Sequence, residues 1–154
     1  MGFTLKSSYA LRGIFIIAQK MKDEKKNAIP ISDIVKGTDI PKDFLEKIFG
    51  ELKHKNIIKS IRGRYGGYAL SREPKDIKIK DIVLTLDNPL GSFKCIGSEK
   101  DCEYTSTCAV KYVWYKVHNA MLKELEDMTI ENLLNLNISE ENFDLSKLKT
   151  EAEI

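Results

Sequence analysis

Apolar residues recur at three- and four-residue intervals over residues 4–22, where Leu5, Tyr9, Ala10, Gly13, Ile14, Ile17, Ala18 and Met21 form one stripe. That period predicts an amphipathic helix, broken by the polar run from Lys22 to Asn27. A short helix is expected over 30–36, with Ile31, Ile34 and Val35 inward. Pro30 suits its start, where a missing N–H costs nothing. Gly37-Thr38-Asp39 then makes a tight break before a third helix over 41–55, with Ile40, Phe44, Leu45, Ile48, Phe49 and Leu52 as its buried stripe. Two short helices joined by such a break, the second with a polar outer face, fit a helix-turn-helix.

After Asn56 the pattern changes. The β-branched run 57–62 and the run 68–71 flank Gly63-Arg64-Tyr65-Gly66-Gly67, which predicts a β-hairpin with a glycine-bearing turn, a wing. Residues 77–87 return to a helical period, with Ile79, Ile82, Val83 and Leu86 inward. Periodicity is lost over 89–108, a loop that holds every cysteine. From 109 to 128 a long helix resumes, with Val110, Val113, Val117, Ala120, Met121, Leu125 and Met128 near a coiled-coil spacing. This stripe suits packing on its own domain or on the same helix of a second copy. Residues 129–136 read as a short terminal helix. The expected class is mainly α with a small β-hairpin wing: a winged helix-turn-helix domain over 1–88, a cysteine-bearing loop over 89–108, a dimerisation helix with the short terminal helix over 109–136, and an acidic, partly disordered tail over 137–154.

Composition excludes some classes of function. With 42% hydrophobic and 31% charged residues the chain reads as a globular domain, and no apolar run approaches the roughly 20 residues a bilayer span needs. No signal-peptide layout opens the chain, so a cytoplasmic location is expected. The formal net charge of +2 conceals a division: residues 1–80 carry 18 Lys and Arg against 9 Asp and Glu, whereas residues 81–154 carry 7 against 14. A basic first half points to a polyanion partner. An enzyme is not expected, since there is no Ser/His/Asp set and no phosphate loop, and the two histidines lack evident partners.

Duplex DNA is the polyanion that a helix-turn-helix and wing would meet. The start of the third helix offers Lys42, Asp43, Phe44, Glu46 and Lys47. A glutamate accepts from the cytosine amino group and a lysine donates to guanine; Asp43 also serves as an acid at a positive helix end. In the wing, Arg62, Arg64 and Tyr65 stand beside the glycines, and arginine on a thin ribbon suits the negative potential of a narrow minor groove. His54 is read as a backbone or phosphate contact, and His118, Tyr112 and Trp114 as interface residues.

Cys95, Cys102 and Cys108 fall within 14 consecutive residues. An odd count argues against a disulfide framework, and the gaps are wider than those of zinc sites. Thiolates are natural ligands for iron–sulfur clusters, while free thiols in a loop are the plain alternative.

The chain also resembles the Rrf-two family of bacterial winged-helix transcription regulators, over about residues 3–136. Thr4-Leu5-Lys6-Ser7-Ser8-Tyr9-Ala10-Leu11-Arg12-Gly13-Ile14 looks like the family's opening helix. Ile40-Pro41-Lys42-Asp43-Phe44-Leu45-Glu46-Lys47-Ile48-Phe49 is similar to its recognition helix, and Ile61-Arg62-Gly63-Arg64-Tyr65-Gly66-Gly67-Tyr68-Ala69-Leu70 to its wing. Family members often have Gly-Pro-Gly-Gly-Gly-Tyr in the wing, so Arg64 and Tyr65 are departures. The resemblance implies a homodimer on a partly palindromic operator, with helix 109–128 forming much of the interface. It also implies an iron–sulfur cluster, two-iron or four-iron, on Cys95, Cys102 and Cys108, since cluster-binding members carry three cysteines in this loop. At the family's fourth-ligand positions this chain has Lys111, Ser8 and Arg12, none of them a match. Asp101, Glu99, Glu103, Ser8 or an exogenous small ligand stay open for that role. The implied function is a sequence-specific repressor or other transcription regulator whose operator affinity follows iron–sulfur status, iron, redox state or nitric oxide. The alternative is a cluster-free regulator of the same fold, controlled by thiol chemistry or a protein partner.

Overall fold

A computed structural model describes residues 4–87 and 108–136. Its order is α1 (Leu5–Glu24), α2 (Ile31–Val35), α3 (Lys42–His54), β1 (Ile58–Ile61), β2 (Gly67–Leu70), a 3₁₀ turn (Pro74–Asp76), α4 (Ile79–Leu86), α5 (Ala109–Asp127) and α6 (Ile130–Asn135). The described chain is thus mainly helical with one antiparallel hairpin.

Helix α1 is the central column, packing against α2, α3, α4, α6 and β2. Ser7, Ala10, Gly13, Ile14, Ile17 and Ala18 are its buried positions. Gly13 marks the crossing with α3: a Cβ there would come within 2.9 Å of the Phe49 ring and 3.2 Å of Leu45. Two expectations for α1 are corrected. Leu5 is 68% exposed, because the face that the first turn turns inward is that of Ser7, about 200° away around the helix. The helix also runs on to Glu24, where Lys20 pairs with Glu24 at i,i+4, and ends at Lys25 in the left-handed conformation.

Helix α3 buries Leu45, Ile48, Phe49 and Leu52. Phe44 departs from its expected place in that stripe: it is 38% exposed and meets the edge of Tyr9 with ring centroids 6.0 Å apart. Strands β1 and β2 pair from Ile58 with Leu70 to Ile61 with Gly67, leaving residues 62–66 as the turn. A third chain segment joins the hairpin through a single bridge: the Ile29 N–H donates to the Tyr68 carbonyl and the Tyr68 N–H donates back, both at 2.8 Å. Gly67 sits where this bridge passes. Its φ is +153°, and a Cβ would lie 2.3 Å from the Ile29 carbonyl oxygen, so only glycine fits.

Helix α4 buries Ile79, Ile82 and Val83 as expected, while Leu86 is half-buried at the edge of the core. Its approach is clipped to the end of α5. The Ile79 N–H donates to the Met128 carbonyl at 2.9 Å, and the Ile130 N–H to the Ile77 carbonyl at 3.0 Å. Lys78 and Lys80 both pair with Glu126, at 2.9 and 3.0 Å. Thr129 caps α6, its hydroxyl accepting from the Asn132 N–H while the Asn132 side chain accepts from the Thr129 N–H. Ile130 is thereby set fully into the core.

Helix α5 has no fully buried residue. Leu125 packs against the core, whereas Val110 and Val113 are 58% and 53% exposed and Val117 is exposed beside them. The expected stripe is therefore divided, its C-terminal end on the domain and its N-terminal part uncovered. Among the described residues, no helix is long and apolar enough to cross a membrane. The tail expected over 137–154, and all of the expected loop except Cys108, lie outside the described residues.

Candidate nucleic-acid interface and cysteine site

Because Leu45, Ile48, Phe49 and Leu52 turn inward, the helical period places Lys42, Asp43, Glu46 and Lys47 on the outer face of α3, and all four are exposed. Asp43 lies in the first turn, where an acid complements the helix dipole. The Lys42 ammonium stands 3.9 Å from the Glu46 carboxylate, an exposed and weakly held pair. His54 is the last residue of α3 and is exposed.

Arg62, Arg64 and Tyr65 project from the hairpin turn. Tyr65 is 84% exposed, and the Arg64 guanidinium lies 5.8 Å from the centre of its ring. Helix α3 and the hairpin are joined through an aromatic contact, Phe49 of α3 meeting Tyr68 of β2 with centroids 4.8 Å apart. Burial raises the Tyr68 phenol pKa, with a further contribution from the Glu46 charge, so Tyr68 stays a neutral packing group. Pattern reading missed Lys25 and Lys26, which share a cleft with the wing turn; the Ile29–Tyr68 bridge that brings them there involves too few residues to leave a strand pattern.

Cys108 is the N-cap residue of α5, a half-exposed free thiol with no side-chain cap hydrogen bond. Cys95 and Cys102, with Glu99, Asp101 and Glu103, lie outside the described residues. Among the described residues, no group of three or more His, Cys, Asp and Glu gathers. Ser8 is exposed on α1, and Arg12 is held by Asp39 at 2.8 Å. His118 lies ten residues beyond Cys108, about 15 Å along the helix, with its Nδ1 buried and unpaired among the described residues.

Just ahead of the cysteine segment, Asp87 ties α4 to α1. It accepts from the Ser7 and Thr4 hydroxyls, both at 2.6 Å, and from the Thr4 N–H at 2.9 Å. Burial alone would push this carboxyl up. The hydrogen bonds from Ser7 and Thr4, with the Lys6 charge, more than offset that, and the net pKa shift is downward. Nothing in the local pattern marked Asp87 or its partners.

Residues 3–136 match the family Rrf2, described as iron-dependent transcriptional regulator. The chain belongs to the Rrf2 family. NsrR of Bacillus licheniformis, an HTH-type transcriptional regulator, is 30% identical over 135 residues, covering 87% of this chain and 92% of its own. Among solved structures, IscR of T. potens superposes with a TM-score of 0.70 at 27% identity, covering 94% of this chain and 93% of its own. CymR of B. subtilis, titled the global cysteine regulator, gives 0.69 at 26%, covering 86% and 95%. The protein is accordingly a DNA-binding, winged-helix transcription regulator of the Rrf2 family, and not an enzyme.

Proposed function

We propose that this Rrf2 regulator binds its operator as a homodimer, reading the major groove with Lys42, Asp43, Phe44, Glu46 and Lys47 and the minor groove with Arg62, Arg64 and Tyr65. An iron–sulfur cluster held by Cys95, Cys102 and Cys108 sets its affinity. The observation that carries the DNA contacts is the Phe49–Tyr68 packing, which holds helix and wing in one fixed relation. The uncovered Val110, Val113 and Val117 face supports the dimer, and the bulk of the basic charge lies in the half that would face DNA.

Three thiols are a donor set suited to a cluster, and Cys108 stands at a helix start with its side chain uncommitted to capping. When bound, the cluster supplies a centre that responds to oxidants, nitric oxide and iron supply. The chain's own part is mechanical. Cys108 begins α5, α5 ends on the approach to α4, and α4 packs on α3. Binding at the cysteines would therefore reach α3 through contiguous packed elements, and by linkage DNA would in turn bias the cysteine site. The second reading, a cluster-free regulator working through thiol chemistry or a protein partner, is favoured by one feature: the fourth-ligand positions hold Lys111, Ser8 and Arg12, with Arg12 engaged by Asp39.

Iron and acid-labile sulfide per monomer, with a visible spectrum on protein purified without oxygen, separate the two. Matching iron and sulfide, both lost in Cys102→Ala, are expected. A colourless, iron-free protein that resists anaerobic reconstitution and still binds DNA would establish the second reading.

A further inference from the structure

Beside the wing lies a cleft of about 620 Å³ lined by Lys25, Lys26, Asn27, Ala28 and Pro30 on one side and by residues 61–65 on the other. Four of its lining residues are cationic, Lys25, Lys26, Arg62 and Arg64, and none is acidic. The arrangement is built by backbone and not by chance approach of long side chains. Lys25 ends α1 with φ +52°, turning the chain back toward the hairpin. Four residues on, Ile29 is fastened to Tyr68 by two hydrogen bonds, and Gly67 leaves room for that crossing. The nearest counter-charge is Glu24, which Lys26 and Lys20 share. Among the described residues, Lys25, Arg62 and Arg64 stand in no salt bridge, and Arg64 lies against the ring of Tyr65.

We propose that this cleft is a backbone-phosphate site, in which the loop between α1 and α2 grips DNA alongside the minor groove that the wing enters. The proposal rests on the DNA reading above and extends the contact surface beyond the helix-turn-helix and the wing. Phosphate contacts carry no sequence information, but they fix the register of a protein on the duplex. Lys25 and Lys26 would thus set how deeply and at what angle the wing sits, and Arg62 and Arg64 would divide their charge between groove and phosphate.

Because such contacts are blind to sequence, the test needs no known operator. Binding of the full chain to a 30-base-pair duplex of random sequence (a probe length of about 30, ample for a dimer spanning half-sites roughly 10 base pairs apart) is measured across a salt series. The double variant Lys25→Gln/Lys26→Gln removes both charges and leaves unbranched polar side chains in their place. The slope of log K against log salt is expected to fall by about one for each lysine. Lys75→Gln, an exposed lysine outside the cleft that pairs with Glu73, is expected to leave the slope unchanged. An unaltered slope in the double variant, or an equal fall with Lys75→Gln, overturns the cleft and leaves the DNA reading intact. Failure of the unaltered protein to bind any duplex overturns the DNA reading itself.

Discussion

Asp87 receives three hydrogen bonds, two from Thr4, which caps α1, and one from Ser7 in its first turn, and is only 7% exposed. Asp87→Asn keeps the shape but removes the charge and turns one acceptor into a donor facing other donors. A loss of about 1–3 kcal/mol near neutral pH is expected, read by urea denaturation. The folded-state pKa lies below the ordinary carboxylate value, so the contribution is complete above the unfolded pKa and is lost as pH falls through the folded one. The gap between the two proteins should accordingly close toward acid pH. A gap that stays constant into that range would show that the charge of Asp87 is not what matters.

At the scale of elements, α5 presents two faces with different fates. Leu125 meets the core, while Val110, Val113 and Val117 recur at three- and four-residue intervals in the open. Val113→Glu should convert a dimer to a monomer in analytical ultracentrifugation without loss of helix by circular dichroism, since the site makes no core contact. A variant that remains dimeric would place the interface elsewhere. The elements themselves were legible in the chain. Pro30, Pro41 and the apolar spacing of α3 marked the helix-turn-helix to within a residue or two, and the glycines around Arg64 marked the wing. What escaped was anything made by one or two residues against a distant partner. A bridge of Ile29 alone has no alternation to read, and the clip joining Lys78 to Thr129 has the same defect. Asp87 follows the same rule, because its partners lie 80 or more positions away. Phe44 was misplaced for a different reason: at the first turn of α3 only Leu45 reaches the core, and Phe44 makes a single edge-on aromatic contact with Tyr9.

For the molecule as a whole, Ile130 is where the long helix is secured to the winged-helix body. It is fully buried and its N–H donates to Ile77. Ile130→Ala should cost about 2–5 kcal/mol by lost burial and cavity formation, a large share of the stability of a domain this size. The nearby pairs of Glu126 with Lys78 and Lys80 are substantially exposed, so solvent screens them and they should add far less than the packed isoleucine. Denaturation midpoints for Ile130→Ala and Glu126→Gln test that ranking. Equal losses would overturn the ranking and mean that the ion pairs hold the two parts together as firmly as the packed isoleucine does.

The clip at Ile77, Ile79, Met128 and Ile130 also defines a fulcrum. The 19 residues of α5 form an arm about 28 Å long, with Cys108 at its tip. A tilt of about 5° about the clip would move that tip by roughly 2.5 Å over such a length, while the hydrogen bonds at the pivot change by a small fraction of that. Mechanical advantage runs the other way as well. A displacement imposed at Cys108 arrives at the pivot reduced in travel and increased in force, next to the segment that leads into α4 and from there onto α3.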